Sequence, residues 1–273
     1  MRLICVTDNC VQRSSRLWGE HGLSFWLETA DGAVLWDTGQ TSAVLAHNLQ
    51  ALQLEARPAA VAVSHAHYDH TGALRHVLEQ HPGLIVYGNA SLFAPRFSRS
   101  GDRLMPIGMQ GEPAEWQALA TFSLSDAPQG ILPGVGTTGL IAPRPHPQGA
   151  SPAHVVLRGG QACPDPYADD MSLLLHVSGG VVLLCGCCHA GLRNTLLTVR
   201  ALSDEPLVAI IGGTHLAEAA ENELAALVEL LRREGPVRLY LNHCTGDKPL
   251  FTLRSALGER VSPCPAGTVL TFD

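Results

Sequence analysis

Apolar residues in this chain fall into short β-branched runs that alternate with stretches of helical spacing. Residues 2–7, 23–29 and 33–37 read as strands, and Leu45, Leu49 and Leu52 then recur on one helical face. Ala60, Val61, Ala62 and Val63 form another short buried strand, followed by a helix marked by Leu74, Val77 and Leu78. Residues 84–87 supply a further strand. The second part of the chain repeats the theme. Residues 173–175 and 181–184 predict a strand pair that turns at Gly179-Gly180. Residues 207–211 and 237–241 extend the same sheet. Between them, Leu224, Leu227, Val228 and Leu231 predict an amphipathic helix that Gly235-Pro236 ends. The pattern is that of an α/β fold (α+β by some schemes).

The middle breaks the pattern. From about residue 94 to 165 the chain is rich in Pro and Gly and has little sustained periodicity. A segment this long inside a compact domain is expected to be functional or disordered; this one is read as an insertion or lid, part of which covers the active site. The expected organisation is one domain over 1–273, with a first half at 1–93, the insertion at 94–165 and a second half at 166–273. Gly134-Val135-Gly136-Thr137-Thr138-Gly139 has the spacing of a dinucleotide-binding turn. Pro133 precedes it, and Pro143 and Pro145 follow, so the strand-turn-helix context such a site needs is missing.

Composition narrows the class. With 273 residues, 46% of them hydrophobic, the chain can bury a large core. A formal net charge of −7 argues against nucleic acid, whose phosphates need concentrated Lys and Arg. No run approaches the ~18 apolar residues that would span a bilayer, and the first residues lack a leader's apolar stretch. Several of the eight cysteines lie in apolar, strand-like surroundings, which fits reduced thiols and a cytoplasmic protein. Neither a nucleic-acid nor a membrane partner is expected; a homodimer is left open.

The chemistry is concentrated between residues 64 and 72, Ser-His-Ala-His-Tyr-Asp-His-Thr-Gly. His65, His67, Asp69 and His70 are all metal-competent and sit on a strand-to-helix loop. His65 and His67, two apart, project to the same side in extended backbone. Asp69 and His70 lie past the bend and can face a second ion. Imidazole and carboxylate suit zinc, and iron or manganese as well. Two divalent ions are expected, with zinc first.

This His-x-His-x-Asp-His run resembles the metallo-β-lactamase superfamily. Leu35-Trp36-Asp37-Thr38-Gly39 looks like its first motif, and Cys187-Cys188-His189-Ala190-Gly191 and Leu241-Asn242-His243-Cys244-Thr245-Gly246 look like its later ones. Together with Glu20-His21-Gly22 and Gly212-Gly213-Thr214-His215-Leu216, they resemble a subgroup similar to the archaeal 7,8-dihydropterin-6-methyl-4-(β-D-ribofuranosyl)-aminobenzene-5′-phosphate synthase. The resemblance implies a four-layer αββα sandwich with metals at one edge between two sheets. It also implies His65, His67 and His189 around one ion and Asp69, His70 and His243 around the other. Asp69 would in addition accept a hydrogen bond from the attacking water, and Asp37 would orient a metal-loop histidine. Where most members carry a bridging Asp, this chain has Cys187, which is either a small buried residue or a thiolate ligand. Asp169 or Asp170 could supply the missing carboxylate, and His215 is expected beside the site rather than on a metal. Arg96, Arg99, Arg103 and Arg144 are candidates to bind an anionic substrate group.

The expected function is a metal-dependent hydrolase of a small phosphoester, lactone or related ester. A pterin-pyrophosphate transferase and a non-catalytic metal- or ligand-binding protein are the alternatives.

Overall fold

The computed structural model describes residues 1–54 and 57–273. Two seven-stranded sheets face each other. The first runs, in spatial order, Val269–Thr271, Arg2–Thr7, Ser24–Thr29, Gly32–Trp36, Ala60–Ala62, Ile85–Gly88 and Thr121–Leu124. The second runs Val261–Pro263, Arg238–Leu241, Leu207–Gly212, Gly180–Cys185, Ser172–Val177, Val135–Thr137 and Gly130–Leu132. Each sheet is mixed. In the first, strands from Gly32–Trp36 onward pair in parallel; in the second, those from Gly180–Cys185 to Val261–Pro263 do.

Burial follows from this arrangement. Gly180–Cys185 is buried at every position, as expected of a strand covered on both faces. Phe25, Leu27, Trp36, Leu173, Leu175, Val182, Leu184 and Ile211 fill the space between the sheets. The outer face of the second sheet packs on helices Leu192–Leu202, Glu221–Arg233 and Asp247–Leu257, and the first packs on Ser42–Ala51 and Leu74–Gln80. Helix–sheet–sheet–helix layering results. Glu221–Arg233 also shows how local sequence supports an element: Glu221 and Glu223 lie in its first turn, and Arg232 and Arg233 in its last, both matching the helix dipole.

The stretch 94–165 corrects the expectation of a long irregular insertion. Thr121–Leu124 closes the first sheet, and Gly130–Leu132 and Val135–Thr137 extend the second. The rest builds a four-stranded sheet in the order Gln161–Pro164, His154–Arg158, Arg96–Ser100 and Arg103–Pro106. These strands are three to five residues long, too short for period-two alternation to stand out. Gly134, at φ +75°, turns the hairpin that pairs Leu132 with Val135, and Gly136 lies on the strand that follows, so the glycine-rich motif is a hairpin turn and its outgoing strand.

Parallel pairing sets where the polar side chains gather. The residues after Gly32–Trp36, Ala60–Ala62, Gly180–Cys185, Leu207–Gly212 and Arg238–Leu241 all emerge at strand carboxyl ends. Asp37, the histidine loop, Cys187, His189, His215 and His243 are therefore delivered to one edge of the sandwich.

Candidate metal centre

His65, His67 and His189 bring one nitrogen each to within 4.8 Å of one another, and all three residues are buried. Their Nε2 atoms are buried without any hydrogen-bond partner. Buried polar atoms are nearly always paired, so three converging orphans point to an electron-pair acceptor as their partner. The opposite ring nitrogens explain the aim. Nδ1 of His189 donates to Gly149 O at 2.8 Å, and Nδ1 of His65 lies 2.8 Å from Ser64 Oγ. Ser64 in turn gives its hydroxyl proton to Asp37 Oδ2 at 2.7 Å. For His65 and His189, outer partners thus fix the tautomer and leave the Nε2 lone pair facing inward. Burial, reinforced by the neighbouring imidazoles, pushes all three histidines well below their ordinary pKa, so they stay neutral. Neutral imidazole is the form that binds a metal.

Asp69, His70 and His243 converge beside the first cluster. His70 Nε2 lies 3.2 Å from His243 Nε2 and 3.7 Å from Asp69 Oδ2, and His243 Nε2 lies 3.3 Å from that same oxygen. Again Nδ1 is held from outside: His70 Nδ1 by Asp37 Oδ2 at 2.7 Å, His243 Nδ1 by Asn9 Oδ1 at 2.9 Å. Burial opposes charge on His70, but Asp37 and Asp69 outweigh it and lift its pKa to about 9. Burial likewise opposes the Asp69 carboxylate, yet His70 and His243 hold it well below the usual carboxylate range. A negative oxygen among imidazoles suits a divalent ion. In both clusters the residues present fit a metal.

Several of these residues carry backbone strain. Asp37, Tyr167, Cys188, His215 and His243 all have φ between +45° and +56°, a region that side-chain-bearing residues seldom adopt. Gly186 answers a different demand. A side chain there would meet Ser64 Oγ at 2.1 Å and break the Asp37–Ser64–His65 relay.

The clusters floor a cleft of about 370 Å³, whose walls include Tyr68, Met105, Pro106, Ile107, His154 and His215. Ser98, Met105, Pro106, Ile107 and His154 of the 94–165 stretch are among the residues that line it. His215 sits 4.4 Å, ring to ring, from His189, yet joins no three-residue ligand group among the described residues. Asp170 joins none either. Its Oδ2 accepts the Ala190 N–H at 2.7 Å, and burial raises its pKa to about 7 despite that bond and Arg144. Asp169 is also committed elsewhere, to the Ala66 N–H and to Arg96, each at 2.7 Å. Cys187 Sγ, by contrast, lies 3.2 Å from His70 Nε2, inside the ligand group His65, His70 and Cys187.

The arginines depart from expectation. Arg96 is 2% exposed and clamped between Asp165 and Asp169, so its guanidinium holds the third sheet to the histidine loop. Arg144 spends its donors on Ile141 O, Pro166 O, Tyr167 O and Gln148. Arg99 and Arg103 lie on strands of the third sheet but not on the cleft wall. No lysine or arginine is among the described residues that line the cleft.

Three contributors escape a reading of the sequence. His21 Nε2 lies 3.2 Å from Asp69 Oδ2. Tyr167 stacks on His189 at 4.3 Å and 10°, and its hydroxyl meets His154 Nδ1 at 3.0 Å. Asp8 accepts the His243 N–H at 2.8 Å. Only His21 left a trace, inside the Glu20-His21-Gly22 motif; the others have no local pattern.

Comparison with known proteins agrees with this geometry. Residues 17–162 match the family model of the Metallo-beta-lactamase superfamily. Over 284 aligned residues the chain is 21% identical to the 7,8-dihydropterin-6-methyl-4-(beta-D-ribofuranosyl)-aminobenzene-5'-phosphate synthase of Methanocaldococcus jannaschii, covering 100% of this chain and 97% of that one. Among solved structures, it is similar to Tm1679, a metal-dependent hydrolase of the beta-lactamase superfamily. That match has a TM-score of 0.85 and 24% identity and covers 100% of both chains. Zn(2+)-bound PqqB from Methylobacterium extorquens shares the fold at a TM-score of 0.58 and 11% identity, also over 100% of both chains.

Proposed function

The chain belongs to the metallo-beta-lactamase superfamily, and on that premise we propose that it is a hydrolase with a two-ion site that cleaves a small phosphoester, lactone or related ester. The observation that carries this reading is the pair of adjoining clusters at the floor of an open cleft, the first with three inward Nε2 atoms that find no hydrogen-bond partner. His65, His67 and His189 would hold one ion, and Asp69, His70 and His243 the other, with zinc the expected occupant. When bound, such ions supply Lewis acidity and a water whose pKa falls toward ~7.

The chain's own groups do the rest. Asp69, kept ionised by His70 and His243, is placed to accept a hydrogen bond from the attacking water. Asp37 and Ser64 hold the tautomers of His65 and His70 throughout. His154, tied through Nδ1 to Tyr167 and 5.1 Å ring to ring from His67, contributes a ring to the cleft wall, where a leaving group would depart. Tyr68, Met105, Pro106 and Ile107 offer that group an apolar surface.

A pterin-pyrophosphate transferase is the second reading, favoured by the end-to-end likeness to the archaeal synthase. A wall without lysine or arginine among the described residues counts against it, since a pyrophosphate carries more charge than a single phosphoester and usually draws such partners beyond the ions. The deciding experiment is to purify the protein without chelator, measure metal identity and stoichiometry, and assay that sample on generic phosphodiester, phosphomonoester and lactone substrates. About two ions per chain with chelator-sensitive turnover is the expected result. Two ions without turnover on any of the three would turn the reading toward the transferase or a binding protein.

A further inference from the structure

Of the cysteines at 185, 187 and 188, two face away from the site. Cys185 and Cys188 are buried in the apolar core beneath the helices of the second sheet. Cys187 faces the histidines, with Sγ 3.2 Å from His70 Nε2. Cys244, which follows His243 in a separate loop, comes back to the same place: its sulfur, Cys187 Sγ and a His243 nitrogen all lie within 4.8 Å of one another. Space has been left for it. A side chain at Gly213 would stand 2.7 Å from Cys244 Sγ. The backbone N–H of His215 also donates to that sulfur at 3.3 Å, a bond that stabilises a sulfur carrying negative charge.

We infer that Cys187 and Cys244 are thiolate ligands of the ion held by Asp69, His70 and His243, so that two sulfurs complete the site beside the Asp69 carboxylate. On loading, each thiol gives its proton to solvent as its sulfur–metal bond forms. Soft sulfur donors bias the position toward zinc and other thiophilic ions over magnesium or calcium. This rests on the two-ion reading above only for the presence of the ion, not for any turnover.

X-ray absorption at the zinc edge of the zinc-loaded wild-type protein tests it without any variant. The expected spectrum contains a sulfur shell near ~2.3 Å beside nitrogen and oxygen at ~2.0–2.1 Å; a shell of nitrogen and oxygen alone overturns the inference. Loading with Co(II) gives a second readout, a near-ultraviolet sulfur-to-cobalt charge-transfer band. It should weaken in Cys187→Ser and in Cys244→Ser and vanish in the double variant, each checked for folding by circular dichroism. A band that keeps full intensity in either single variant overturns the two-thiolate assignment. Absence of hydrolysis with the sulfur shell present would count against the proposed activity and leave the ligands standing.

Discussion

Asp37 Oδ2 accepts a 2.7 Å hydrogen bond from His70 Nδ1, and neither side chain is exposed to solvent. The same carboxylate takes the Ser64 backbone N–H and hydroxyl, each at 2.7 Å, so one buried anion orients two histidines that face different clusters. Asp37→Asn keeps the shape and removes the charge. Loss of such an outer partner typically weakens metal affinity by about 10–100-fold. Competition against a chromogenic chelator should show a loss of that size; unchanged affinity would contradict the role.

The same pair predicts a pH dependence for metal-free protein. His70 has a folded-state pKa of about 9, against ~6.5 when unfolded. Its contribution to stability is therefore fully present below ~6.5 and is lost as pH rises through about 9. Melting temperature of the chelated protein should fall across that interval, and Asp37→Asn should flatten the fall. A wild-type profile that is level over the interval contradicts the assignment.

His67→Ala removes one of three nitrogens from the first cluster. The expected outcome is the loss of about one ion per chain and of chelator-sensitive turnover, with the second ion retained. Metal analysis of the purified variant decides it, since an unchanged content would exclude His67 as a ligand.

Arg96→Ala separates a substrate contact from a structural one. Removing the guanidinium strands Asp165 and Asp169 as buried charges, which typically costs about 3–5 kcal/mol. Denaturant titration should show destabilisation of that order, with the histidine loop disturbed through Asp169 and Ala66. Full stability combined with a raised KM would instead restore Arg96 as a substrate-binding residue.

What the sequence made legible was what lies within one turn or one strand of itself. The buried strands announced themselves as apolar runs, and the histidine loop packed its donors into adjacent positions. The third sheet did not, because strands of four or five residues between glycines and prolines carry too few positions to alternate. Arg96 misled for a related reason. Its partners Asp165 and Asp169 lie far along the chain, and only the fold brings them together. His21, Asp8 and Tyr167 reach the site in the same way, through pairing of distant segments. Cys244 was visible beside His243, but which way its sulfur points is set by Gly213 and His215 on a neighbouring strand end.

Each cluster takes donors from both sheets: His65 and His67 with His189, and Asp69 and His70 with His243, the last pair 173 residues apart. The ions would then act as cross-links as well as reagents. Like a disulfide, each would shrink the unfolded ensemble by closing a long loop, and would clasp the two sheets at their open edge. A chelator would be to this protein what a reductant is to a secreted one, releasing the clasp before any residue is changed.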